Sequence, residues 1–124
     1  MTEVFTYREP KLLGFDPTSG QDLTGFEVEA SDGSIGKIDE ATYDFGRSYV
    51  IVDTGPWIFG KKVMLPAGVI RSVDPNEEKV FVNRTKDEIK NAPEFDDSLM
   101  LDDAYRTRLG AYYGPSGSAY RDWD

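Results

Sequence analysis

Between residues 22 and 83 the chain is written in short β-branched and aromatic runs, each closed within a few residues by a cluster of turn formers. That rhythm belongs to an all-β sandwich or small barrel, because a strand ends wherever Gly, Pro, Asn or Asp supplies turn geometry. The runs are Phe26 to Ala30, Gly36 to Phe45, Tyr49 to Thr54, Val63 to Pro66, Val69 to Val73 and Val80 to Asn83. Between them stand Ser31-Asp32-Gly33-Ser34, Phe45-Gly46-Arg47-Ser48, Gly55-Pro56-Trp57 and Asp74-Pro75-Asn76-Glu77-Glu78. The pattern predicts about five or six strands.

Two strands carry further information. In the second run Ala41, Tyr43 and Phe45 alternate, but Ile38 lies one step out of phase. Slipping by one residue exchanges the two faces of a strand, so a bulge near Asp39-Glu40 is predicted. Tyr49-Val50-Ile51-Val52 does not alternate, which predicts a central strand covered on both faces.

The flanks read differently. Residues 1–20 form a leader ending in Gly14-Phe15-Asp16-Pro17-Thr18-Ser19-Gly20, with Val4, Phe5, Tyr7, Leu12 and Leu13 available to pin it. Thr85-Lys86-Asp87-Glu88 has the spacing of a capping box and predicts a short helix over 86–91, ended by Ala92-Pro93. An acidic linker, Glu94 to Ser98, follows. Beyond it Leu101, Tyr105, Leu109 and Tyr112 recur at helical spacing, with Asp102 and Asp103 at the start and Gly114-Pro115 at the end. The resulting division is a leader over 1–20, a β domain over 21–97, and a helix with a mobile tyrosine-rich tail over 98–124. On that division, removing residues 99–124 leaves the β domain folded.

Composition then restricts the chemistry. The chain lacks both His and Cys, which excludes disulfides, thiolate nucleophiles, Cys/His zinc sites and a Ser-His-Asp triad. Lys and Arg number 14 against 23 Asp and Glu, and the net charge of −9 opposes a nucleic-acid backbone. No apolar run reaches the roughly 18 residues of a membrane span, and the N-terminus carries no targeting pattern, so a soluble cytoplasmic protein is expected.

The acids Asp32, Asp39, Glu40, Asp44 and Asp53 read as surface or turn residues, Asp53-Thr54-Gly55 as an Asx-type turn. Nothing from Asp32 to Asp44 fits an EF-hand, and Gly33-Ser34-Ile35-Gly36-Lys37 lacks the spacing of a phosphate loop. Ser34-Ile35-Gly36-Lys37 has the Ser-x-x-Lys spacing but reads as a hairpin turn running into a strand, and no catalytic residue, cofactor or metal is expected. The remaining candidates concern docking. Trp57, Ile58 and Phe59 lie between glycines in a loop that either plugs the fold or faces a partner. Lys61 and Lys62 form a local basic spot that reads first as a solvated turn, with an acidic partner or a phosphate as the competing reading. Tyr105, Leu109, Tyr112, Tyr113 and Trp123 offer either a helical face that docks on the β domain or anchors for another chain.

Between Asp22 and Asp96 stand, in order, Asp22-Leu23-Thr24-Gly25, Asp32-Gly33-Ser34-Ile35-Gly36-Lys37-Ile38, Tyr49-Val50-Ile51-Val52-Asp53-Thr54-Gly55, Lys62-Val63-Met64-Leu65-Pro66, Val80-Phe81-Val82, and Thr85-Lys86 through Asn91-Ala92-Pro93-Glu94-Phe95. In this order and spacing the stretch resembles the PRC-barrel domain. It implies a small, mainly antiparallel β-barrel similar to the modules of the photosynthetic reaction-centre H subunit and of a ribosome-maturation factor. There the domain is an assembly element without a general catalytic site. The membrane helix of the first and the N-terminal domain of the second are not found here, so neither task is inherited. The segment Leu101 to Gly114 looks like the tyrosine-rich ending of short stand-alone members. The function expected is a non-enzymatic interaction module that pairs with itself as a homodimer, through the Trp57 to Phe59 loop and a strand edge, and with another protein. The competing reading is a small-molecule or cation-binding barrel whose mouth holds Asp53, Tyr43 and Lys37.

Overall fold

A computed structural model describes residues 2–7, 10–16, 19–43, 48–55, 61–99 and 102–114. Strand β1 (Glu27–Ala30) turns through Ser31-Asp32 into the long β2 (Gly33–Ala41), and β3 (Tyr49–Asp53) returns against it. Then come β4 (Lys62–Pro66), β5 (Ile70–Asp74) and β6 (Lys79–Val82). They form one six-stranded sheet in the order β4-β3-β2-β1-β6-β5. Every neighbouring pair is antiparallel except β1 and β6, which run parallel.

The bulge falls where the phase of Ile38 places it. The register passes from Ile38↔Val52 to Glu40↔Ile51, leaving Asp39 as the extra residue, and Ile38 is buried. Tyr49 to Val52 are buried without interruption, as their lack of alternation requires.

The sheet is not closed into a barrel. Its outermost strands, β4 and β5, are consecutive in the chain and are joined only by a buried 3-10 turn, Ala67–Val69. At this corner β4 ends in Pro66, which has no N–H to donate to a ladder. The 3-10 turn Thr2–Phe5 occupies the corner instead. The Phe5 carbonyl accepts from the Ser48 N–H at 2.8 Å. Val4 lies so close to Gly68 that a Cβ there would come within 2.6 Å of the Val4 carbonyl oxygen.

The core extends beyond the sheet. Val4, Phe5, Leu13 and Phe15 share one buried cluster with the strand residues, and α1 (Pro10–Leu13) packs on β5. Helix α2 (Lys86–Lys90) starts at the expected capping box: Glu88 N–H donates to Thr85 Oγ1 at 3.1 Å, and Thr85 N–H donates to Glu88 Oε1 at 2.8 Å. Helix α3 (Asp103–Tyr113) is capped by Asp102, which accepts from Tyr105 N–H at 2.9 Å. Its buried stripe is Tyr105, Leu109 and Tyr113, in the same cluster as the sheet. Tyr112 is 39% exposed and rests on α2 by donating its hydroxyl proton to the Glu88 carbonyl at 2.6 Å. Three steps of the helix turn Tyr112 off the stripe that a step of four continues to Tyr113.

Candidate functional site

A trough opens where β4, the chain leaving α2, and the end of α3 meet. Pro93 halts the helix, and the extended segment after it is held back by Tyr105, whose hydroxyl donates to the Pro93 carbonyl at 3.0 Å. The Phe95 ring packs against that of Tyr105, centroids 5.9 Å apart. A gap of about 160 Å³ is left between this segment and β4. Val63, Met64, Ile89 and Phe95 line it with apolar groups, and Lys61, Lys62, Lys90 and the acidic Glu94 are its charged lining.

Tyr113 closes one end, and its position is over-determined. Arg84, only 6% exposed, donates from Nη2 to the Tyr113 carbonyl and from Nη1 to the Asn83 carbonyl and side-chain oxygen, at 3.0 and 2.7 Å. The guanidinium also sits 5.9 Å from the Tyr113 ring centroid. Tyr112 meets the same ring edge-on at 5.0 Å. Yet the Tyr113 hydroxyl is buried and has no hydrogen-bond partner among the described residues. Burial drives its pKa far above the ordinary phenol value, so the hydroxyl stays protonated.

On the rim Lys61 meets Glu94 at 3.4 Å in an exposed pair that contributes little, and Lys62 meets Asp39 at 3.0 Å. Lys90 has no ion-pair partner among the described residues. Apolar groups and three lysines beside the single acid Glu94 suit recognition of a ligand with an apolar body and negative charge.

The residues named for a barrel mouth do not converge. Lys37 and Asp53 are cross-strand partners and border a hollow of about 290 Å³, more open to solvent, with Glu27 and Ser34. Asp53 uses Oδ1 to accept from Gly55 N–H at 3.0 Å, the Asx-type turn that its sequence predicts. Ser34 donates to Glu27 at 2.9 Å. Tyr43 lies elsewhere, stacked on Tyr7 at 5.7 Å, with its hydroxyl donating to Asp22 at 2.6 Å and accepting from Leu23 N–H at 2.7 Å. Among the described residues, no group of three or more acidic side chains could hold a metal ion.

The Tyr43 hydrogen bond holds the Asp22 carboxyl below its ordinary range. Because the folded state favours the ionised form, the stabilisation is present above the ordinary carboxylate pKa and fades as pH falls through the lowered value. Tyr43→Phe is expected to raise the Asp22 pKa, read directly by NMR titration of the side-chain carboxyl, and to flatten the acid limb of stability.

Of the docking residues named from sequence, Lys61, Lys62 and Tyr113 come together at the trough. Tyr105 and Leu109 are buried in the chain's own core, while Tyr112 lies at the surface. Trp57, Ile58, Phe59 and Trp123 lie outside the described residues, as does Asp44. Sequence reasoning missed Met64, Ile89, Lys90, Phe95 and Arg84. Lys90 alone had a signal, the last-turn cation of a helix already located by its capping box. No helix among the described residues is long and apolar enough to cross a membrane. No protein-family model matches the chain, and a search of curated proteins finds no match.

Proposed function

We propose that this chain is a non-enzymatic protein-interaction module of PRC-barrel type whose docking face is the trough beside β4. The observation that carries this reading is a partly apolar trough lined by Lys61, Lys62 and Lys90 against one acid, Glu94, on a protein of net charge −9. Such a local reversal of sign steers an acidic partner to one place on a surface that elsewhere repels it. The test compares proteins retained by the wild-type chain and by a Lys61→Glu, Lys90→Glu double variant. The same partner is expected on the first and lost from the second, and equal retention on both refutes the assignment.

Self-association as a homodimer is part of the proposal, with Trp57, Ile58 and Phe59 as its contact, a reading that rests on the sequence. Light scattering after size exclusion is expected to give twice the chain mass at tens of micromolar, falling to a single mass in Trp57→Ser, Phe59→Ser. A wild-type monomer under those conditions removes the homodimer.

A further inference from the structure

We infer that the trough is the seat of the chain's own C-terminal segment, Tyr120-Arg121-Asp122-Trp123-Asp124, with the Trp123 ring laid against Pro93 and the lysine stems. The inference rests on the reading of the trough as a docking face and adds that a partner displaces this segment to reach it.

Reach supplies the first argument. Tyr113 lines the trough, and Gly114 is the last described residue, followed by residues 115–124. Trp123 stands ten positions beyond Tyr113, across a spacer of small residues, Pro115-Ser116-Gly117-Ser118-Ala119. Ten residues span up to about 33 Å when extended, and the trough begins at Tyr113 itself. A short tether holds a segment at an effective concentration on the order of millimolar, so an intrinsically weak contact is enough to keep the site filled.

Surface chemistry gives the second argument. Met64, Ile89 and Phe95 are buried, so the apolar surface open to a ligand is that of half-buried Val63, Ala92 and Pro93 and of the Lys61, Lys62 and Lys90 stems. A flat aromatic ring suits such a strip, because it covers Pro93 and the stems while offering its π face to an ammonium group, and indole does this best. The gap of about 160 Å³ compares with the roughly 150 Å³ that holds a benzene ring, so one aromatic side chain fills it. Charge gives the third. The lining carries three lysines and one acid, Glu94, and the segment carries two acids and one arginine. Asp122 and Asp124 flank Trp123 and answer the lysines, while Arg121 answers Glu94, whose side chain is 86% exposed. A purely acidic occupant would meet Glu94 as a like charge.

The test uses the full chain with Trp57→Phe, which leaves Trp123 as the sole tryptophan. Its fluorescence is expected to be shifted to the blue, and its quenching by acrylamide to be several-fold weaker, relative to a free peptide of residues 115–124. Both readings are expected to persist on dilution, as a contact within one molecule requires. Adding Lys61→Glu, Lys90→Glu is expected to return them to the values of the peptide. Combining that pair with Asp122→Lys, Asp124→Lys is expected to restore the shielding, a rescue that a mere loss of stability does not produce.

Trp123 fluorescence equal to that of the peptide overturns the inference, and so does shielding that ignores the lysine changes or is not rescued by the reversed pair. Shielding that disappears on dilution places the segment on a second copy and also overturns it. If Trp123 is unshielded while the lysine double variant still loses a partner that the wild type retains, the occupant is wrong and the docking face stands. If neither effect is seen, both fall.

Discussion

Truncation of the chain after Asp102 is expected to abolish cooperative unfolding, not merely to trim an appendage. Tyr105, Leu109 and Tyr113 are at most 1% exposed and belong to the same core as the strands. Burying a large apolar side chain contributes about 1.5–3 kcal/mol, so losing three removes about 5–9 kcal/mol, comparable with the whole stability of a small domain. The loss spreads further, because Arg84 no longer reaches the Tyr113 carbonyl and Val4 loses its neighbour Gly114. Urea denaturation followed by near-UV circular dichroism reads the result. A sharp sigmoid at an unshifted midpoint in the truncated chain would instead vindicate the division drawn from sequence, in which the β domain ends at 97. As a milder check, Leu109→Ala should cost about 2–5 kcal/mol in the full chain.

Gly36→Ala is expected to cost about 3 kcal/mol or more. A Cβ at Gly36 would lie 2.0 Å from the Asp53 carbonyl oxygen and 2.9 Å from Thr54 Cα, both backbone atoms at the end of the strand paired with β2. Its φ of +146° adds strain for any L side chain. Gly33 is the internal control, since its φ of +145° is nearly the same but a Cβ there meets only the flexible Lys86 side chain at 3.6 Å. The difference in unfolding free energy between Gly36→Ala and Gly33→Ala therefore isolates the close approach of β2 to the end of its partner β3. Equal costs for the two would refute that account.

What the sequence disclosed was local. The phase of Ile38 located the bulge at Asp39, Thr85 and Glu88 located the start of α2, and the unbroken Tyr49 to Val52 run located an interior strand, because each signal is fixed by neighbours a few residues away. Closure of the sheet was not legible, since it depends on what fills the corner at Pro66. The filler is Val4, some sixty positions upstream, opposite two glycines whose role shows only in three dimensions. The trough escaped for the same reason: its floor draws on β4, α2 and the segment leading to α3, each unremarkable alone. The choice between Tyr112 and Tyr113 turned on one helical step, which apolar spacing in a Tyr-Tyr pair does not resolve.

The short link from β4 to β5 also bears on the order in which the chain assembles. Hairpins β1–β2, β2–β3, β3–β4 and β5–β6 each close over a nearby stretch of chain, whereas β1 finds β6 across a span of about fifty residues. Loop-closure entropy makes that parallel pairing the slow event. With Ala67–Val69 tethering the two hairpin groups at the far corner, the last movement of folding is the shutting of a clasp about a covalent hinge.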